Sequence, residues 1–139
     1  MAAALESINY LAVIVVTIAG FMIGWLWYGV VFGKAWMAEM KITPEKIEAA
    51  KGKMGATMTQ GFVWTLVSTF ALAWILRGHG TAGALKGAEW GAMLGVLLVG
   101  ARFANSAVWE QRTLKLTTIN VAHEVVLFAV QGAILAVWR

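Results

Sequence analysis

Cysteine does not occur in this chain of 139 residues. That removes disulfides, thiolate nucleophiles and cysteine-based zinc or iron–sulfur centres from consideration. Aspartate is missing too: all seven acids are glutamates, and there are only two histidines. Most carboxylate metal cages and the Ser-His-Asp arrangement have little to be built from, so neither a metal nor a cofactor is expected. Charge of either sign is scarce. Charged residues make up 13% and hydrophobic ones 60%, against about 25% and roughly 45–50% in soluble domains. A single domain of this length could not hide so much apolar surface from water. The excess faces lipid.

The apolar residues are gathered into four blocks. From Ser7 to Gly33 there are 27 consecutive residues without a formal charge, more than the ~20 needed to cross the hydrocarbon and too many for a signal-peptide core. The first span is placed at residues 8–32. A second uncharged run of 23 residues sets the second span at 54–76. The third, at 84–109, is interrupted by Lys86, Glu89 and Arg102. The fourth, at 116–138, carries only Glu124, and no soluble domain is expected beyond it. The expected fold is an all-α membrane protein, a four-transmembrane-helix bundle.

Basic residues set the topology. Lys34, Lys41, Lys46, Lys51 and Lys53 in the first loop, with Arg112 and Lys115 in the third, face only Arg77, Lys86 and Arg139 on the other side. Positive-inside asymmetry then puts both loops in the cytoplasm and both termini outside. It also accounts for the net charge of +4 without a nucleic-acid partner. Trp25, Trp27, Trp36 and Trp109 near one interface, and Trp74, Trp90 and Trp138 near the other, fit the aromatic belts of a bilayer. Within the first loop, Thr43 can cap a short helix with Pro44 at its first position and Glu45 in its first turn. Apolar residues among its lysines suggest that this helix lies in the interface.

Two sets of residues on the spans carry more than hydropathy. Gly83, Gly87, Gly91 and Gly95 recur every four residues, and Gly20 and Gly24 repeat the spacing. Without Cβ atoms along one stripe, two helices approach closely enough to gain dispersion contacts that lipid does not match. The stripe serves packing within one bundle, a homo-oligomer interface, or both. The second set is polar. Asn120, Glu124 and Gln131 fall near one face of the fourth span, flanked by His123. Arg102 and Asn105 share a face of the third, and Gln60 lies on a polar stripe of the second. Arg102 sits about 9 Å and Glu124 about 5 Å from the midplane, on the same side of it. Since an unpaired intramembrane charge is costly, an Arg102–Glu124 ion pair is expected, completed by Gln60, Asn105, Asn120 and His123. Such a cluster either fixes helix register or forms a site open to the cytoplasm. At the outer end, Lys86 and Glu89 are set to pair, with Trp90 lying over the lysine.

The sequence YGVVFGKAWM at residues 28–37, ITPEKIEAAKGK at 42–53, and Asn105, Glu110, Arg112 and Leu116 resemble the signature blocks of the domain-of-unknown-function 1761 family of bacterial membrane proteins. Phe32-Gly33-Lys34-x-Trp36 is the most specific element. The resemblance implies a four-helix membrane fold in the bacterial inner membrane and no particular activity. Family members often have Ser-Pro after the tyrosine, where this chain has Gly29-Val30, so no kink or special turn is carried over to that position.

The function readings that remain are binding and assembly. One is a homo-oligomer with a polar intramembrane site for a small solute, ion or proton. The other is an accessory or structural subunit of a larger membrane complex. No nucleophile, catalytic base pair or metal motif points to an enzyme.

Overall fold

A computed structural model describes residues 5–138; Arg139, counted above among the basic residues, lies outside them. Among the described residues there are helices and no strand. The first span, α1, runs over Tyr10–Val31. It starts where it does because the Asn9 side chain accepts a hydrogen bond from Ala12 N (3.0 Å), satisfying one of the free amides of the first turn. Two short helices follow, α2 (Gly33–Glu39) and α3 (Pro44–Ala50). The remaining spans are α4 (Met54–Gly78), α5 (Ala84–Trp109) and α6 (Leu114–Val137). Four of these helices are long and apolar enough to cross a membrane.

Thr43 caps α3 by accepting from Lys46 N. None of the α3 residues is buried, and the helix is not set apart from the second span. It passes through a 3-10 turn, Lys51–Lys53, into α4, giving one helical stretch of 35 residues, Pro44–Gly78. At about 52 Å this stretch outruns the roughly 30 Å hydrocarbon.

The chain goes up and down, so α2, α3 and the loop before α6 share one end, here the basic end, opposite the described N-terminal residues, the loop before α5 and Trp138. α6 is the centre. Half of its most apolar window is buried, against 28% or less for each other span. α5 makes the closest approach to it. A Cβ on Gly91 would lie 2.0 Å from the Phe128 carbonyl oxygen, and one on Gly87 2.1 Å from that of Gly132. Gly95 likewise meets Val125 and Glu124 backbone. Three of the four stripe glycines are thus used against α6 inside one bundle. The fourth, Gly83, caps α5 with φ +90° and donates its N–H to the Ala136 carbonyl (3.2 Å).

On the other side of α6, Ile8, Ala12, Val13 and Val16 pack with Leu72, Ala73, Leu76, Phe128 and Leu135. All of these lie away from the basic end. There the bundle opens: residues 51–60 are exposed throughout, and α4 is last seen against α1 where Phe62 meets Phe21 edge-on (5.8 Å). The exposed apolar side chains, such as Leu11, Ile18, Met22, Val67, Leu97 and Val130, form the surface that lipid covers.

Candidate functional site

Asn120, His123, Leu127 and Gln131 recur at three- and four-residue intervals, which places them on one face of α6. The glycines of α1 lie against that face. A Cβ on Gly20 would lie 2.6 Å from Gln131 Nε2, and one on Gly24 3.5 Å from His123 Nε2. The Gly20/Gly24 pair therefore makes room for polar side chains of α6. Gln131 donates from Nε2 to Thr69 Oγ1 (2.9 Å) on α4, while its Oε1 has no hydrogen-bond partner. This bond ties α6 to α4 at the level of the core.

About two turns toward the basic end, a second polar group is built by α1, α2 and α6. The last turns of α1, Leu26–Val31, are π-helical, and Phe32 N closes them on the Trp27 carbonyl (2.8 Å). The widened turn directs two consecutive aromatic residues at α6. Trp27 Nε1 donates to the Ile119 carbonyl (3.1 Å), and the Tyr28 hydroxyl donates to Asn120 Oδ1 (3.2 Å). The Tyr28 ring lies 4.8 Å from the His123 ring and 5.3 Å from that of Trp36 on α2; Trp27 meets His123 edge-on at 5.9 Å. His123 is 7% exposed inside these aromatic walls. Its Nδ1 lies 3.1 Å from Glu124 Oε1, and its Nε2 is buried with no partner.

The chemistry of this arrangement follows from the two ring nitrogens. With Glu124 ionised, Nδ1 carries the proton and donates it to the carboxylate, which fixes the tautomer and leaves a lone pair on Nε2. A buried acceptor without a donor is costly. Here it is held on the face that Gly24 leaves open. Among the described residues no three histidine, cysteine, aspartate or glutamate side chains converge.

Three of the residues expected in this cluster are elsewhere. Arg102, Asn105 and Gln60 are exposed, and the ionic partner of Glu124 is His123, not Arg102. The reason is a second π-helical stretch, Gly95–Gly100 on α5. In an unbroken α-helix Arg102, seven residues on, would share the α6-facing side with Gly95. The extra residue of the π-turn shifts the phase. Gly100, whose Cβ would lie 3.0 Å from Val121 Cγ1, and Ala107, 7% exposed, take the α6 face, and Arg102 and Asn105 swing off it. Trp27 and Tyr28 were missed as members of the site, one read as an interfacial anchor and the other only as part of a signature block. At the opposite end Lys86 and Glu89 pair (3.0 Å), but Trp90 stacks on His79 (4.7 Å) rather than on the lysine.

The basic end is closed beside the site by side chains of its own loops. Glu39 at the end of α2 accepts from Thr113 Oγ1, the cap of α6, and lies 3.4 Å from Lys115 Nζ. The Thr113 hydrogen bond, then Lys115, hold the Glu39 carboxyl below the ordinary glutamate range. Glu110 is held low in the same way, first by Ser106 and then by Arg112.

No curated protein and no solved structure matches the chain. The protein family of unknown function DUF1761 matches it over residues 11–136, almost all of the four-helix bundle, and the chain belongs to that family.

Proposed function

We propose that the His123–Glu124 pair is an intramembrane acceptor site, for a proton or for a small solute that donates a hydrogen bond. The observation that carries this is the buried, partnerless Nε2 of His123, in a ring whose other nitrogen is fixed by a carboxylate. Within a membrane an ionisable pair of this kind has a solvation cost that function repays. The seven basic residues around the first and third loops favour a cytoplasmic basic end, with both termini outside and the chain in a bacterial inner membrane. That orientation puts the site nearer the cytoplasmic face, behind the Glu39–Thr113–Lys115 contact. The reading is of binding rather than catalysis, since the pair has no nucleophile beside it.

Because the chain has two histidines, the site can be observed directly. Protein labelled with 15N-histidine and carrying His79→Gln shows one imidazole in a nitrogen NMR spectrum in nanodiscs. The expected result at neutral pH is a protonated Nδ1 and a bare Nε2, and Nε2 gains a proton or a donor when pH is lowered or a ligand enters. Glu124→Gln should scramble the tautomer. An Nε2 that is protonated at neutral pH, or one indifferent to pH and to every solute tried, would remove the proposal.

Assembly is a second reading. Residues 44–60 are exposed throughout among the described residues, which favours a subunit role in a larger complex. A homo-oligomer has to use the outward faces of the spans, because the glycine stripe is occupied within the bundle. Purification in mild detergent separates these: a stoichiometric second protein supports the complex, and a pure multiple of this chain supports the homo-oligomer.

A further inference from the structure

Between α4 and α5 lies a partly open cavity of about 150 Å³, lined by Ser68, Ala71, Leu72, Ile75, Leu94, Leu98, Val99 and Phe128. Its walls are apolar because the Ser68 hydroxyl turns back to donate to the Thr65 carbonyl (2.9 Å). A space of this size accepts a benzene-sized apolar group and stays dry. The surfaces flanking it change character toward the basic end. On α5, Arg102 follows Leu98 by four residues across the end of the π-stretch, about 6 Å further toward the basic end. Asn105 is in the next turn. On α4, the line from Ser68 continues through Trp64, 71% exposed, with Gln60 and Thr57 beyond. Arg102 makes no hydrogen bond or ion pair among the described residues.

We infer that this crevice is a binding site for an anionic phospholipid, one acyl chain lying in the apolar cavity and the phosphate held by Arg102 with Asn105 as a neutral donor. Two independent features point the same way. An arginine inside a span needs an anion or a path to water, and basic positions between membrane helices on the cytoplasmic side are where anionic headgroups are recognised. Below that arginine, the dry cavity accepts hydrocarbon and offers nothing polar. Guanidinium also suits phosphate better than a point charge does, through paired N–H donors. This inference does not depend on the His123 site, which lies on the α1 side of α6.

The test is native mass spectrometry of the intact chain in mild detergent, titrated with phosphatidylglycerol and, separately, phosphatidylcholine. One phosphatidylglycerol per chain is expected to be retained, with Arg102→Gln weakening it about tenfold and leaving phosphatidylcholine unchanged. Leu98→Trp, which fills the cavity, should weaken both lipids. Lys34→Gln, on α2 against α1 and α6, should change neither, and its intact helical spectrum guards against misfolding. Equal phosphatidylglycerol binding by Arg102→Gln would overturn the inference. So would displacement by millimolar inorganic phosphate, which would mark a free-anion site. A second copy of the chain in place of lipid would overturn it as well.

Discussion

An alanine methyl at position 91 would have to share space with the Phe128 carbonyl oxygen, 2.0 Å away. Backbone cannot rotate aside as a side chain can, so α5 and α6 would have to separate along their whole crossing. Alanine is the better helix former by about 1 kcal/mol. Overpacking a tight contact costs about 1–3 kcal/mol and here also loses the dispersion contacts of neighbouring turns. Gly91→Ala should therefore destabilise the bundle by about 2 kcal/mol or more, read from loss of helical signal in mixed detergent micelles. Gly55→Ala is the control. A Cβ there meets nothing within 4 Å, so that variant should be neutral or more stable by up to about 1 kcal/mol. If both glycines respond alike, helix propensity and not close approach governs these positions.

At the scale of a helix, the π-turns decide which side chains meet. Hydropathy and charge make the four spans and the glycine stripe readable, because lipid imposes length and close packing imposes four-residue spacing. Asn120, His123 and Glu124 follow from the same helical period on α6, which has no π-turn. The period fails on α5, where the extra residue between Gly95 and Gly100 carries no compositional mark: glycine, valine and leucine there read as ordinary span. It fails again near Tyr28, where the π-turn forms without the proline that often follows the tyrosine in the family. Removing Leu97 should restore an unbroken α-helix and turn Arg102 back toward α6. Because the chain contains no cysteine, the R102C/E124C pair reports this cleanly. A short bifunctional thiol reagent should link the pair efficiently in the Leu97 deletion and poorly in the full-length chain. Equal yields would mean that the π-turn does not set the phase.

Over the whole molecule, the core is concentrated away from the basic end, so the loops must hold the basic end themselves. The Glu39–Thr113–Lys115 contact bridges residues 74 positions apart. Its carboxyl is held below the ordinary glutamate value of about 4.3 only while folded. The stability it contributes is therefore complete above that value and is lost as pH falls through the lowered one. The part of the unfolding midpoint that rests on this contact should stay level from pH 8 to about pH 5 and fall below about pH 4. Glu39→Gln should lower the neutral midpoint slightly, as suits a contact partly open to solvent, and blunt the acid limb. An unchanged acid limb in that variant would assign the loss to Glu110 or to other groups.

The 35-residue helix acquires a mechanical meaning from where its support ends. Beyond the Phe21–Phe62 contact, about 25 Å of helix, with the 3-10 turn Lys51–Lys53 inside it, projects without a neighbour among the described residues, so that contact acts as a fulcrum and the projecting part as an arm. A tilt of about ten degrees there would carry Pro44 some 4–5 Å, close to one helical turn. The arm is joined through four residues, Met40–Thr43, to Glu39, which is fastened to the cap of α6. The tip of the arm is thereby tethered to the start of the helix that carries His123.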